Sequence, residues 1–320
     1  MTNPKVLISI LNWNAPENTI KTVQSVLLSN YKDYSILLLD NHSTDNSTTI
    51  LKDSFPVCRF IKMKSNLGYA GAHKVAAKIA IKENYDLLWI LNNDVQVFPF
   101  TLSELVLAHK RNENALLGSL SLEPDGETIH FGGGAELIDN FTVNEKIKYN
   151  QFNGKNYATT LVKERPVADI EGASFIIPIS IIKQYGFLDT RYFLYGEETD
   201  YCYTLRRKFN IQSIIVPAAS IIHAASASFN IHPDLKYIKA YYFTRNTYLL
   251  HYKYLKQNII EGNGGIMHHL KFFLKYYFLV PSKNRDSNYR LKYYKKLGSF
   301  HALLRIKLKY LEPNNFLNKP

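Results

Sequence analysis

Three apolar runs near the amino terminus each end on asparagine or aspartate. Residues 6–13 carry Asn12 at their end with Asn14 just beyond, residues 35–39 stop at Asp40, and residues 87–91 stop at Asn92, Asn93 and Asp94. Runs this short and this uniformly apolar fit strands buried on both faces. Helix-like patterns separate them: 16–30, with Ile20, Val23, Val26 and Leu27 on one face, then 44–51 and the alanine-rich 69–84. Residues 58–62 read as a further strand, and Asp45 suits the first turn of the second helix. Alternation of this kind predicts an α/β fold, a mostly parallel sheet covered by helices. In such sheets ligands bind outside the carboxyl ends of the strands. Polar residues collect there at 12–14, 40–45, 66 and 92–94. Helix capping accounts for any one of these clusters; four on one edge point to a site.

Further along, 115–170 is hydrophilic and glycine-spotted at 132–134, and reads as a loop or hairpin excursion. Residues 171–182 return to strand and turn, with a short helix over 181–186. A polar cluster at 195–200 opens a helix to about 209, and 211–216 and 220–223 read as closing strand material. With 46% hydrophobic and 21% charged residues, the composition excludes disordered and collagen-like classes. Two cysteines, Cys58 and Cys202, exclude a disulfide framework and a four-cysteine zinc site. No signal-peptide pattern leads the chain and no apolar stretch reaches the ~20 residues of a membrane span, so a cytoplasmic setting is expected.

Charge divides the chain. Residues 251–320 hold 14 Lys/Arg against Glu261, Asp286 and Glu312, a net +11 of the total +12. This predicts a nearly neutral body, 1–250, and a basic, aromatic helical tail, 251–320. Within the tail, Leu270, Phe273, Leu274, Tyr277 and Phe278 fall at helical spacing, with Lys271 and Lys275 on the flank. Such a helix either lies in the interface of an anionic membrane or packs on the body. Nucleic acid is a weaker partner, because the charge is confined to the tail and no zinc spacing or RNP-like aromatic motif accompanies it.

Asp94, fixed at a strand end, is either a turn residue or a ligand of a hard divalent cation, which needs only one or two protein carboxylates beside substrate phosphates. His223, also after an apolar run, is either a second ligand, if the metal is Mn2+, or a buried core histidine. Glu197, Glu198 and Asp200 open a helix behind Tyr192, Phe193 and Tyr195. They read either as acids stabilised by the helix dipole or as a desolvated general base. The 66–72 segment has G-x-x-G but neither the dinucleotide nor the P-loop pattern, and the first strand–helix turn has no glycine. NAD and P-loop chemistry are disfavoured, and no G-x-S-x-G elbow supports a serine nucleophile.

Eight pieces occur in order: ILNWN (10–14), LLLDNHSTDNS (37–47), NLGYAGAHKVA (66–76), LLWILNNDVQV (87–97), EGASFIIP (171–178), GFLDTRYFLYGEETDYCYTLRRK (186–208), IIHAASAS (221–228) and YYFTRN (241–246). Together they resemble the inverting family 2 glycosyltransferases of GT-A fold, in particular the bacterial rhamnosyltransferase-like branch. The resemblance implies a nucleotide-diphospho-sugar donor, dTDP-rhamnose or a UDP-hexose, and a hydroxyl acceptor on a cell-surface glycan such as O-antigen or on a polyprenyl-diphosphate lipid. It sets Asn12 and Asn14 near the base, Asp40 on base or ribose, and Asn41 and Asp45 beside it. The 66–71 loop, with Asn66, Gly68 and Gly71, closes over the nucleotide. The metal motif falls on Asn92, Asn93 and Asp94, with Asn where an acid is usual, and His223 matches a later metal-binding histidine; Mg2+ or Mn2+ is implied. His73 stands where asparagine is usual. Glu198 matches the catalytic base, with Asp200 the runner-up, and Arg245 matches a position suited to the donor diphosphate, a lipid phosphate or a salt bridge. The expected location is cytoplasmic, peripheral on the inner membrane face. Two competing readings, a sugar-nucleotide nucleotidyltransferase and a non-enzymatic nucleic-acid binder, lack respectively a glycine-rich basic N-terminal loop and a nucleic-acid motif.

Overall fold

Every one of the amino-terminal apolar runs forms a strand. The computed structural model describes residues 3–135, 150–224, 232–254, 274, 286–304, 311 and 313–317. The chain runs β1 (Val6–Asn12), α1 (Pro16–Leu27), β2 (Tyr34–Asp40), α2 (Ser47–Ser54), β3 (Arg59–Lys62), α3 (Gly68–Lys82), β4 (Leu87–Asn92), β5 (Val95–Val97) and α4 (Thr101–Arg111). It continues with β6 (Ala115–Leu122), β7 (Ile129–Phe131), β8 (Arg165–Val167), β9 (Ser174–Pro178), α5 (Ile179–Tyr185), α6 (Glu197–Phe209) and β10 (Gln212–His223). Contacts divide it into two compact units, Met1–Leu67, Gly71–Leu188 and Glu198–Ser228 in the first, and Gly68–Ala70, Asp189–Glu197 and Phe229–Pro320 in the second.

The first unit is built on a ten-stranded sheet of order β3-β2-β1-β4-β9-β6-β10-β5, with β7 on β6 and β8 on β10. Its longest pairings, β1 with β2, β1 with β4 and β6 with β10, are parallel. Val6, Ile8 and Ile10 face one side of β1 and Leu7 the other, and all are buried, as a sheet covered on both sides requires. Each such side chain contributes ~1.5–3 kcal/mol by leaving water. Helix α1 starts on Pro16, whose fixed φ suits a first helical turn, and turns Val23 and Val26 into the core.

Three features differ from the expected pattern. The excursion at 115–170 contains β6, a central strand buried at every position. Its sequence, ALLGSLSL, hides this role because Ser119 and Ser121 sit in the interior. Ser119 Oγ lies 2.7 Å from Ser174 Oγ, which accepts from Trp89 Nε1 at 2.9 Å, so the hydroxyls are satisfied across strands. Second, β9 enters antiparallel between β4 and β6. Third, 211–216 and 220–223 belong to one strand, β10, whose register with β6 shifts between Val216 and Ile221.

In the second unit, α7 (Leu235–Tyr254) packs against α8 (Ser287–Leu303), and α9 spans Pro313–Leu317. Gly298 makes the approach of the long helices close: a Cβ there would lie 2.5 Å from the Tyr241 carbonyl oxygen. Tyr241 Oη meets His301 Nδ1 at 2.7 Å, and Arg290 pairs with Asp234 at 3.2 Å. The expected boundary at residue 250 falls within α7. The amphipathic 267–280 stretch lies outside the described residues, apart from Leu274. No described helix is long and apolar enough to cross a membrane.

Candidate active site

Strand register builds the polar edge of the first unit. Asn12 pairs with Asp40 across β1 and β2, and Leu11 with Asn92 across β1 and β4, so three strand ends finish at one level. Asn12 Nδ2 donates to Asp40 Oδ1 at 2.9 Å and to Ser43 Oγ at 3.2 Å. Asn12 Oδ1 accepts from Thr19 Oγ1 at 2.8 Å, and Thr19 Oγ1 accepts from Asn93 Nδ2 at 3.1 Å. Asp40 is fully buried; it also accepts from the Ser43 hydroxyl, the Ser43 amide and Thr48 Oγ1. The observed work of this carboxylate is to fix the 40–48 turn.

Asn14 sits at φ 48°, a conformation asparagine tolerates. It exchanges bonds with Thr44, accepting from the Thr44 amide at 2.8 Å. Asn41 Nδ2 donates to Asn66 Oδ1 at 3.0 Å, and Asn41 Oδ1 accepts from the Leu67 amide at 2.8 Å, which ties the expected nucleotide loop to the end of β2. Asp45 is exposed and accepts from the Ser47 amide at 3.0 Å; it precedes α2, which starts at Ser47, instead of standing in the first turn of that helix as expected. Gly68 opens α3 at φ +69°, and a Cβ on Gly71 would lie 2.9 Å from Leu67 Cβ. His73 is buried beside Ser9 Oγ at 2.9 Å; burial pushes its pKa down to about 3, so it is a neutral core imidazole.

Asp94 and His223 are brought together by the β5–β10 pairing, in which His223 faces Val95 and the Ala224 amide donates to the Asp94 carbonyl at 3.0 Å. His223 Nε2 lies 3.4 Å from Asp94 Oδ1, and both side chains are over nine-tenths buried. The other ring nitrogen, Nδ1, lies 3.1 Å from Glu171 Oε1. Behind it, His130 Nε2 lies 3.4 Å from the same oxygen, and His130 Nδ1 2.8 Å from Glu123 Oε1. Ser121 Oγ donates to Glu171 Oε2. One ligand atom each from His130, Glu171 and His223 falls within 4.8 Å of the others. Burial works against a charged His223, yet the Glu171 and Asp94 carboxylates overcome it and push the pKa up to about 10. Burial would raise Glu171; the His223 charge and the bonds from His130, His223 and Ser121 hold it well below the usual carboxylate range.

This donor set fits a divalent cation. Two ligands on arms of about 2.1 Å at a right angle stand about 3 Å apart, close to the observed Asp94–His223 spacing. Mixed carboxylate and imidazole donors suit Mn2+ better than Mg2+.

At the start of α6, Glu197 and Asp200 are buried while Glu198 stays partly accessible. Burial of the Glu198 carboxyl pushes its pKa up to about 7 against a bond from its own backbone, and the Asp169 and Glu171 charges add to the rise. Glu171 thus acts electrostatically on both the His223 pair and Glu198. Asp169, also buried, accepts from Thr199 Oγ1 at 3.2 Å and is pushed up to about 6, chiefly by burial. Sequence reading did not single out Asp169, Glu171 or His130. The first two precede and open the EGAS piece, and His130 lay in a segment read as loop.

Arg245 belongs to the second unit and is fully buried. Its Nη2 donates to the carbonyls of Arg191 at 3.1 Å and Tyr192 at 2.8 Å. Asn246 Nδ2 donates beside it to the carbonyls of Tyr192, Leu194 and Tyr195 at 2.7–3.0 Å. The pair clamps a segment in which Phe193 and Tyr195 hold positive φ.

Comparison with known proteins agrees with this architecture. A relative 28% identical over 215 residues, 62% of this chain and 69% of its own length, is the N-acetylglucosaminyl-diphospho-decaprenol L-rhamnosyltransferase of Mycobacterium tuberculosis. The low-salt glycan biosynthesis hexosyltransferase Agl10 of Haloferax volcanii is 23% identical over 47% of this chain and 46% of its own. Among solved structures, a mannosyltransferase from Pyrobaculum calidifontis, in complex with GDP-Man and Mn2+, superposes with a TM-score of 0.59 at 10% identity. That match covers 95% of this chain and 88% of the other, and it speaks for the GT-A fold. The profile of glycosyl transferase family 2 matches residues 7–184, more than half of the chain. The chain belongs to glycosyl transferase family 2 and is a glycosyltransferase.

Proposed function

We propose that the protein transfers a sugar with inversion from a nucleotide-diphospho-sugar, dTDP-rhamnose or a UDP-hexose, to a hydroxyl of a cell-surface glycan or polyprenyl-diphosphate-linked acceptor. The observation that carries the reading is the partly accessible Glu198, whose raised pKa suits proton acceptance near neutral pH, within electrostatic reach of the Glu171–His223–Asp94 cluster. Glu198 takes the proton from the acceptor hydroxyl as that oxygen attacks the anomeric carbon in line; the nucleoside diphosphate leaves from the opposite face, which inverts the centre. Asp200 is the second choice for this base. Asp94 and His223 would hold Mg2+ or Mn2+, which when bound offsets charge on the departing diphosphate. Asn12, Asn14, Asp40, Asn41 and the 66–71 segment shape the nucleotide side of the edge. The decaprenol-linked acceptor in the name of the mycobacterial relative supports a lipid-diphosphate acceptor here. The basic tail of 251–320 supports docking on an anionic cytoplasmic membrane face.

The test is nucleoside diphosphate release from a panel of sugar nucleotides, with Mg2+ or Mn2+ and a polyprenyl-diphosphate glycan, with and without chelator. Release should require one donor, the acceptor and the cation, and Asp94→Ala should lose nearly all of it. Full activity in excess chelator would remove the metal from the mechanism, and no release from any donor would remove the proposed reaction.

A further inference from the structure

Glu171 touches none of the reacting groups of the proposed transfer, yet three side chains from other segments hold its carboxylate. Its Oε1 faces His223 Nδ1 at 3.1 Å and His130 Nε2 at 3.4 Å, and its Oε2 accepts from the Ser121 hydroxyl. Four structural segments converge on it: β6 supplies Ser121, β7 His130, β10 His223, and the turn before β9 Glu171 itself. His130 is in turn held from behind by Glu123 at 2.8 Å. An imidazole binds a metal through one nitrogen only, and a bond at the other selects the tautomer and the ring orientation.

We infer that Glu171 is a positioning residue for the cation site: it accepts from His223 Nδ1, which fixes Nε2 as the metal-facing nitrogen beside Asp94. His130 and Ser121 hold the carboxylate in that pose. The inference rests on the proposed cation at Asp94 and His223. Engagement of both Glu171 oxygens by three side chains favours this orienting part over direct ligation, because it leaves about one of the carboxylate's four lone-pair sites for an ion.

Mn2+ titration of the full-length protein without donor, following free Mn2+ by electron paramagnetic resonance, reads the site independently of turnover. Glu171→Leu should weaken Mn2+ binding about 10- to 100-fold. Glu171→Gln retains a neutral acceptor for Nδ1 at the same size and should lose several-fold less than Glu171→Leu, a rescue that a purely packing role would not give. His130→Ala should lose less than either Asp94→Ala or His223→Ala. If both Glu171 variants bind Mn2+ as the wild type does while Asp94→Ala and His223→Ala are weakened, the orienting role is wrong and the cation site stands. If His130→Ala is as damaging as Asp94→Ala, then His130 and Glu171 are ligands and the orienting role is again wrong. If Asp94→Ala and His223→Ala both leave Mn2+ binding intact, the underlying cation assignment fails and this inference falls with it.

Discussion

The acid limb of the pH–rate profile is the sharpest consequence of the Glu198 environment. A general base acts only when deprotonated, so raising its pKa moves the onset of activity to higher pH. Burial and the Asp169 and Glu171 charges take Glu198 from an ordinary 4.5 up to about 7. A base titrating at about 7 is about one-tenth deprotonated at pH 6 and about one-hundredth at pH 5, so kcat/KM should fall about tenfold per pH unit through that range. A carboxylate at its ordinary value would show almost no loss between pH 8 and 6. A bound cation draws the group down somewhat, so the measurement is made at saturating Mn2+ and again with Asp169→Asn. Removing the Asp169 charge should shift the limb to lower pH, while burial keeps it above 4.5. Glu198→Gln should abolish the limb and lower kcat by about 10²–10⁴ with donor KM nearly unchanged. A limb midpoint below pH 5, or a dead Asp200→Asn beside an active Glu198→Gln, would refute the assignment of Glu198 as base.

Arg245→Met leaves the Arg191 and Tyr192 carbonyls without their guanidinium donor and should lower stability by about 2–4 kcal/mol, read as a drop in thermal midpoint; an unchanged midpoint refutes the clamp. Gly118→Ala, whose Cβ would lie 2.7 Å from Ile170 Cγ2 on a central strand, should cost about 1–3 kcal/mol in urea denaturation, and a neutral result would show that Ile170 yields freely. For the tail, replacing Lys271 and Lys275 together by Glu should weaken co-sedimentation with anionic vesicles at low salt by at least about thirtyfold, at ~1 kcal/mol for each lost lysine. Equal binding by wild type and variant would exclude that stretch as the membrane contact.

Much of the amino-terminal half was legible because its strands are apolar on both faces and its helices show one apolar stripe. The edge residues Asn12, Asp40 and Asn92 were legible for the same reason: a strand that ends abruptly in polar residues announces its carboxyl end. What escaped was set by tertiary pairing. Ser119 and Ser121 read as surface residues until Ser174 and Glu171 supply partners from another segment. His130 looks like a loop histidine until β7 pairs with β6 and brings it to Glu171. Arg245 carries the same ambiguity: an arginine in a helical motif suits a phosphate as well as a carbonyl, and only its full burial against residues 191–192 decides which groups it meets.

The insertion of β9 between β4 and β6 sets an order of events during synthesis. Strands β1 to β4 are contiguous and can assemble as soon as they leave the ribosome, but the far side of β4 has no neighbour until β9 arrives, about 80 residues later. At about 5–20 residues per second, that is roughly 4–16 s with the backbone of LLWILN exposed along one side. An open, apolar strand edge is a template for pairing with another chain. Fragments of this protein that stop before Ser174 keep that edge permanently and are accordingly prone to aggregate, whereas the segment through Pro178 closes it from within.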